Sequence, residues 1–158
     1  MLIGRNPKRT LGRIVVLVAG SFIVFKFMLL PIRVDGGSML PTYKDHGVNF
    51  VNRLAYVFHE PRRGDVVAIR MLAGKHVMYM KRIVGLPGEA VAFHHGYLYI
   101  NGEQVQEPYV KLRGTWEHEA LQLGPDEYYF VGDNRDMPWD DHYKGQRTRD
   151  FIVGKLLL

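Results

Sequence analysis

The amino-acid sequence predicts a mainly β domain that follows a single N-terminal transmembrane helix. The stretch 14–32 is apolar apart from Lys26. At a rise of 1.5 Å per residue it would span about 28 Å, close to the hydrocarbon thickness of a bilayer. After this stretch no helical period is sustained. Short apolar runs alternate with turn residues instead, and this pattern is typical of antiparallel β structure.

The sequence divides into a basic tail (1–13), a membrane anchor (14–32) and a β-rich domain (33–158). Basic residues precede the apolar stretch, so the positive-inside rule predicts a cytoplasmic N-terminus and a β domain on the opposite side of the membrane. A cleavable signal sequence is the alternative interpretation. It is disfavoured because no small-x-small cleavage site follows the apolar stretch.

Charge is distributed unevenly along the chain. The net charge of +5 comes from the first 33 residues, which contain basic side chains and no acid, and the remainder is close to neutral. The β domain therefore lacks the basic cluster of a nucleic-acid-binding surface, and we expect no nucleic-acid partner. Cysteine is absent, which excludes disulfides, a thiolate nucleophile and cysteine-based metal sites.

The strands of the β domain are predicted from short apolar runs in chain order. Candidate strands lie within 46–58, 66–72, 77–84, 90–102 (turning at His95-Gly96), 127–134 and 151–158, the last being a closing strand or a short helix. Turns are predicted at 61–65, 73–76 and 85–89, where Gly and Pro concentrate. The stretch 111–124 predicts no clear element.

One serine is available for chemistry outside the membrane. The chain contains only Ser21 and Ser38; Ser21 lies in the apolar stretch, and Ser38 lies in the turn-like sequence GGSMLPT (36–42). A serine hydroxyl needs a base to become a nucleophile. None of the seven histidines has a setting that singles it out. Lys81 follows the apolar sequence VMYM, and burial there would favour its neutral form. An ordinary edge-strand lysine is the alternative.

Four sequence blocks together resemble the type I signal peptidases, which are membrane-anchored serine proteases with a Ser–Lys dyad. The blocks occur in the order and spacing of that family, and the resemblance covers the anchor and nearly all of 34–154. They read GGSMLPT (36–42), RRGDVVAIR (62–70), KRIVGLPGE (81–89) and FVGDNRD (130–136). The resemblance implies a signal-peptidase-type antiparallel β catalytic domain.

The resemblance also implies roles for individual residues. Ser38 matches the nucleophile, Lys81 the general base, and the Ser38 backbone N–H an oxyanion donor. Residues implied in oxyanion stabilisation or support of the dyad are Gly36, Gly37, Arg82, Gly132, Asp133, Asn134 and Asp140. Residues that match the walls of small apolar pockets for the substrate side chains at −1 and −3 are Val34, Met39, Tyr79 and Met80. Gly36 replaces a serine whose hydroxyl adds an oxyanion donor in some members.

The sequence departs from the family pattern after Asp136. Where the family usually has Asn-Ser-x-Asp-Ser-Arg, residues 137–142 read MPWDDH. Asp140 is retained, but the serine thought to support the lysine is Pro138, which has neither a side-chain donor nor an N–H. The arginine is replaced by His142, which we expect to add a pH dependence beside Asp140.

The sequence therefore predicts a membrane-bound serine endopeptidase that removes signal peptides from exported preproteins after Ala-x-Ala-like residues. We expect no metal or cofactor, a monomer, and a single-pass location in the inner (cytoplasmic) membrane with the catalytic domain outside the cytoplasm. One alternative is a catalytically weakened or non-enzymatic membrane-tethered β domain, which the altered 137–142 stretch favours. Another is a specialised processing protease of an export or conjugation system.

Overall fold

A computed structural model describes residues 6–70 and 78–157, and it shows one N-terminal helix followed by antiparallel β-sheets. The helix is α1 (Pro7–Phe27). The strands within these residues are β1 (Leu29–Arg33), β2 (Val48–Asn52), β3 (Val66–Arg70), β4 (Met78–Gly85), β5 (Ala90–His94), β6 (Tyr97–Ile100), β7 (Glu103–Gln104), β8 (His118–Gln122), β9 (Glu127–Val131), β10 (Gly145–Thr148) and β11 (Ile152–Leu156). A short 3-10 helix, Arg149–Phe151, precedes β11.

Helix α1 is long and apolar enough to cross a membrane, and none of its residues is buried against the β domain. It begins at Pro7, whose missing N–H is tolerated in the first turn. It ends at Phe27 because a proline four residues later, Pro31, would clash with the carbonyl of that residue in a continued helix. Residues 14–27 of the predicted anchor are therefore helical, and the rest of that stretch contributes strand β1.

The predicted mainly β fold is confirmed. Seven strands form one antiparallel sheet in the order β1-β2-β11-β3-β4-β9-β10, and four form a second sheet in the order β7-β6-β5-β8. Strand β3 (VVAIR) lies inside the first sheet, where its first four residues are buried, as its continuous apolar sequence indicates. Strand β1 lies at the edge of the same sheet, the position where Pro31 costs no hydrogen bond of the ladder.

Most predicted strands correspond to observed ones. The turn predicted at His95-Gly96 joins β5 to β6, and both residues have positive φ. Strands β7, β8 and β10 were not predicted because they contain no apolar run and are held by backbone pairing with their neighbours. The turn predicted at 73–76 and the adjoining ends of two predicted strands lie outside the described residues.

A fully buried ion pair fixes the loop after β9. The guanidinium of Arg135 donates to both carboxylate oxygens of Glu107 at 2.5 and 3.1 Å, and both side chains are completely buried. The Nε of Arg135 donates to the Gly132 carbonyl at 2.8 Å, and its guanidinium lies 5.3 Å from the centre of the Phe93 ring. The pair therefore holds residues 132–135 to the core.

Replacement of Glu107 by Gln should destabilise the β domain strongly. It leaves the buried Arg135 guanidinium without a counter-charge, and such a loss costs about 3 kcal/mol or more of unfolding free energy. Glu60→Gln is the matched control, because Glu60 is 71% exposed where it pairs with Arg149, and exposed pairs contribute less than about 1 kcal/mol. Denaturant unfolding of the detergent-solubilised proteins, followed by tryptophan fluorescence, compares the two. Equal effects would contradict the structural role of Glu107.

Candidate active site

Ser38, the only serine in the sequence outside α1, lies within hydrogen-bond distance of a buried lysine. The turn 36–42 brings the Oγ of Ser38 to 2.7 Å from the Nζ of Lys81, which lies in the middle of β4. Lys81 is 1% exposed, whereas Ser38 is half-buried and lines an open cleft. The nucleophile and base suggested by the sequence are therefore within hydrogen-bond distance, with the hydroxyl accessible from outside.

Burial adjusts the basicity of the lysine. Desolvation disfavours the ammonium form and lowers the pKa of Lys81 from its ordinary value of 10.5 to about 8. The negative charge of Asp133 opposes this shift, and the positive charge of Lys144 adds to it. A lysine with this pKa is partly neutral near pH 7, and its neutral amine can accept the proton of the Ser38 hydroxyl.

The loop 132–135 holds the backbone of the serine turn. The Asn134 N–H donates to the Ser38 carbonyl at 3.0 Å, and the Asn134 side-chain amide donates to the Gly37 carbonyl at 3.0 Å. Gly132 lets this loop come so close: a Cβ at that position would lie 2.1 Å from the Ser38 carbonyl oxygen. These contacts set the position of Ser38 relative to β4.

A second buried ion pair connects the same loop to the lysine strand. Arg82 donates from Nε and Nη2 to the two oxygens of Asp133 at 2.7 and 2.6 Å. Thr42, at the end of the serine turn, donates its hydroxyl to Asp133 at 2.6 Å. Because side chains alternate along a strand, Arg82 points away from the face that carries Lys81. Asp133 thus joins β4, its own loop and the serine turn.

The backbone on the N-terminal side of Ser38 is shaped by a carboxylate. Gly36 has a φ of +109°, which favours glycine, and its N–H donates to Asp45 at 2.7 Å. Among the described residues, no group accepts a hydrogen bond from the Ser38 N–H. This N–H is therefore available to a developing oxyanion.

A group of potential cation ligands lies on the surface near this backbone. The side chains of Asp35, Asp45 and His46 are exposed, and their ligand atoms lie within 4.8 Å of one another.

The cleft beside Ser38 has a volume of about 430 Å³ and lies between β1 and the start of β4. Four of its lining residues are those the sequence predicts for substrate binding: Val34, Met39, Tyr79 and Met80. The ring of Tyr79 stacks on Tyr143, with 4.4 Å between the ring centres. The cleft also includes residues of β1, most of which the sequence predicts to be part of the membrane anchor (14–32).

Two strand edges without backbone partners border this cleft. Strand β1 pairs only with β2, so its other edge carries no partner strand among residues 6–70 and 78–157. Strand β4 pairs with β9 from Arg82 onward, so its first residues, 78–80, are unpaired on that side within the same ranges. An extended peptide in the cleft could form main-chain hydrogen bonds with both edges.

The altered stretch 137–142 packs behind the dyad in a way the sequence did not predict. His142 is 2% exposed, and its Nε2 accepts a hydrogen bond from the Gly132 N–H at 2.8 Å. Burial, with nearby Lys81, Arg135 and Lys144, lowers the pKa of His142 to about 3. The expected pH dependence from His142 is therefore wrong, since the ring stays neutral across the working range of most enzymes.

The predicted supporting residues fall into two groups. Most contact the serine turn or its carboxylate network: Gly36, Gly37, Arg82, Gly132, Asp133 and Asn134. Asp140 does not contact the dyad: its side chain is exposed, and its charge acts on Lys144. Sequence reasoning missed Asp45, His142 as a buried acceptor, and Lys144. Pro138 was the one signal that this stretch is supported differently.

Comparison with known proteins agrees with this geometry. A family described as "Signal peptidase, peptidase S26" matches residues 8–158. The chain belongs to this family of peptidases. Signal peptidase I S from Bacillus subtilis (strain 168) is 38% identical to it over 153 residues, which cover 89% of this chain and 82% of that protein.

Further relatives carry the same family name. The probable signal peptidase I-2 of Synechocystis sp. is 31% identical over 127 residues, which cover 77% of this chain; the match spans only 58% of that protein's length. A crystal structure of a signal peptidase I from Enterococcus faecalis V583 shares 25% identity, and the similarity covers 62% of this chain and 97% of that one with a TM-score of 0.49. Each of these proteins is named as a signal peptidase.

Lys81→Met should stabilise this peptidase at neutral pH, and the gain should disappear at high pH. In the folded protein the pKa of Lys81 is about 8, below its unfolded value, so the unfolded state binds more protons between about pH 8 and 10.5. The wild type therefore gains stability as pH rises through this window, and below it carries a cost of about 3 kcal/mol that methionine avoids.

Lys111→Met is the matched control for this stability measurement, because Lys111 is exposed. Denaturant unfolding of the three detergent-solubilised proteins at pH 7 and pH 10.5 gives the required comparison. Lys81→Met should be more stable than wild type at pH 7 and equal to it at pH 10.5, with Lys111→Met unchanged at both. If Lys81→Met were less stable than the wild type at pH 7, burial of the Lys81 ammonium would not be destabilising and the prediction would be wrong.

Proposed function

We propose that this protein is a membrane-tethered serine endopeptidase that removes N-terminal signal peptides from exported preproteins, with Ser38 as nucleophile and Lys81 as general base. The observation that carries the proposal is the 2.7 Å separation of the Ser38 Oγ from the Nζ of a lysine that is 1% exposed. Family membership supports the substrate class, because the relatives are signal peptidases by name.

The reaction begins with a neutral Lys81. Its amine takes the proton of the Ser38 hydroxyl while Oγ attacks the scissile carbonyl carbon. The Ser38 N–H stabilises the oxyanion that forms, a contribution worth roughly 3 kcal/mol of barrier. Gly36 adds no side-chain donor. The ammonium of Lys81 then protonates the leaving amine, the C–N bond breaks, and an acyl-enzyme ester remains on Ser38.

Hydrolysis of the ester reverses these roles. Lys81, neutral again, removes a proton from a water molecule, and the resulting hydroxide attacks the ester carbonyl. The tetrahedral intermediate collapses, the Ser38 oxygen takes the proton back from Lys81, and the signal peptide leaves as a free acid. The dyad is thus restored with no group other than water consumed.

The cleft supports selection of small side chains. An extended substrate would add as a strand between the open edges of β1 and β4, so that alternate side chains point at the walls of the cleft. Val34, Met39 and Met80 are buried against the core and leave shallow room beside Ser38. Tyr79, stacked on Tyr143, closes one side. These walls fit alanine-like residues at positions −1 and −3.

Membrane attachment places the domain where such substrates emerge. Helix α1 leads directly into β1, and the Arg53 N–H donates to the Met28 carbonyl at 2.9 Å, so the segment that follows β2 starts beside the helix end. This segment exposes apolar side chains: Leu54, Val57 and Phe58, the last 95% exposed. We infer that the segment lies in the bilayer interface, with the basic residues before α1 on the cytoplasmic side.

Ser38→Ala and Lys81→Met should each reduce cleavage more than about a thousandfold, because the two groups act as one unit. The assay measures processing of a preprotein with an Ala-x-Ala site by the detergent-solubilised full chain. For the wild type, kcat/KM should rise tenfold per pH unit below about pH 8 and level off above it, as Lys81 becomes neutral.

Ser21→Ala is the control for the serine substitution, since Ser21 is the chain's other serine and lies in α1. It should retain wild-type activity. Undiminished cleavage by Ser38→Ala or Lys81→Met would refute the dyad. An inactive wild type would favour the non-enzymatic β domain that the altered 137–142 stretch suggests, whereas cleavage restricted to one preprotein would favour a specialised processing protease.

The interfacial position of Phe58 can be tested by site-specific labelling, because the chain has no cysteine. An environment-sensitive dye on Phe58→Cys should shift to shorter wavelength when the protein is reconstituted in vesicles, and spin-labelled lipids should quench it. Tyr97→Cys is the control: Tyr97 is also exposed but lies in the second sheet. Equal spectra and equal quenching at the two positions would contradict the interfacial placement.

A further inference from the structure

A lysine outside the proposed dyad is held in one place beside it. Lys144 precedes β10, and its ammonium lies 4.1 Å from the centre of the Trp139 ring. It donates hydrogen bonds to the carbonyl oxygens of Trp139 and, at 3.2 Å, of His142. The side chain is half-buried. These contacts localise a positive charge that a free surface lysine would spread over many rotamers.

The segment that holds this charge packs directly against the serine turn. The His142 carbonyl accepts a hydrogen bond from Lys144, and its ring accepts one from the Gly132 N–H. Two residues after Gly132, the Asn134 N–H donates to the Ser38 carbonyl. Burial is the main cause of the lowered pKa of both Lys81 and His142, and the positive charge of Lys144 adds a smaller effect in the same direction. Lys144 is therefore placed to act electrostatically on the proposed dyad, and it is not among the residues that line the cleft.

The other charges around Lys81 are largely neutralised by their partners. Asp133 forms an ion pair with Arg82 and accepts a hydrogen bond from Thr42. The buried Arg135 is paired with Glu107. His142 is neutral because its pKa is about 3.

The rest of the surroundings contribute little opposing charge. Tyr79 presents only its ring, 5.9 Å from the Lys81 Nζ. Asp140 faces Lys144 and is exposed. Within the described residues no carboxylate lies in salt-bridge contact with Lys144. Burial lowers the pKa of Lys144 itself, and the charge of Asp140 opposes this shift and favours the ammonium form that would act on Lys81.

We propose that Lys144 is a positioning residue whose like-charge repulsion adds to the effect of burial in favouring the neutral form of Lys81. It thereby compensates for the hydrogen-bonding serine that the family resemblance places at Pro138. A serine would support the base through a directional hydrogen bond, whereas a fixed cation supports it by destabilising the protonated form. The inference rests on the proposed Ser38–Lys81 dyad, and it assigns a function to the altered loop rather than treating the loop as decayed.

Lys144→Met should raise the pKa of Lys81 and so displace the acid limb of kcat/KM to higher pH by about 0.5 to 1 unit. Cleavage would then fall about three- to tenfold at pH 7 and match the wild type at pH 10. Lys144→Arg should restore the wild-type profile, since it keeps the cation. Lys111→Met removes the same charge from an exposed position and should leave the profile unchanged.

Salt and spectroscopy separate this role from a purely structural one. Because Lys144 is partly exposed, 1 M NaCl should screen its charge. The acid limb of kcat/KM for the wild type should then move toward that of Lys144→Met, whereas the acid limb of the variant should not change. An NMR titration of isotopically labelled lysine side chains should show the same displacement for Lys81. A uniform loss of activity without displacement would mean that Lys144 only braces the Trp139 loop, and would overturn the proposal.

The dyad and the role of Lys144 can fail separately. If Ser38→Ala remains active, the dyad itself is refuted, and the proposal for Lys144 falls with it. If Ser38→Ala and Lys81→Met are inactive but Lys144→Met keeps the wild-type acid limb, the dyad stands and only the electrostatic role is refuted. Correct folding of Lys144→Met is checked by its equal activity at pH 10.

Discussion

The site depends on a chain of buried charges that converges on the loop after β9. Asp133 binds Arg82 of the lysine strand, and Arg135, two residues later, binds Glu107. Tyr109 connects the two pairs, because its ring lies 3.8 Å from the Arg82 guanidinium and its hydroxyl donates to Glu107 at 2.9 Å. Buried ion pairs add little net stability but are costly to break. Their effect here is geometric: they hold the loop that positions the Ser38 backbone.

In the proposed dyad, catalysis and stability make opposite demands on Lys81. A lysine in a water-excluded site destabilises the fold while it is charged, and the same destabilisation is what makes its amine a base near neutral pH. The surrounding charges adjust this balance in opposite directions, since Asp133 favours the ammonium and Lys144 disfavours it. Arg82 binds Asp133 on both oxygens, which limits the pull of that carboxylate on the lysine.

The stretch 137–142 has an ordered structural role despite its unusual sequence. His142 fills the space behind Gly132 and accepts its N–H, Trp139 packs at 5.1 Å from Trp116, and Lys144 is fixed against Trp139. These contacts show that the stretch is ordered and packs against the loop that holds the Ser38 backbone.

The sequence by itself determined the class of fold, the apolar N-terminal helix and the two residues of the proposed dyad. Apolar runs and turn residues act locally, and only one serine outside the helix was available. Tertiary structure decided what depends on long-range contacts: that residues after Phe27 form an edge strand of the cleft, and that polar segments such as β10 pair into a sheet. It also decided that His142 is buried and that Lys144 lies against Trp139 and His142. Burial and charge proximity arise only when distant segments pack together, so no local pattern could show them.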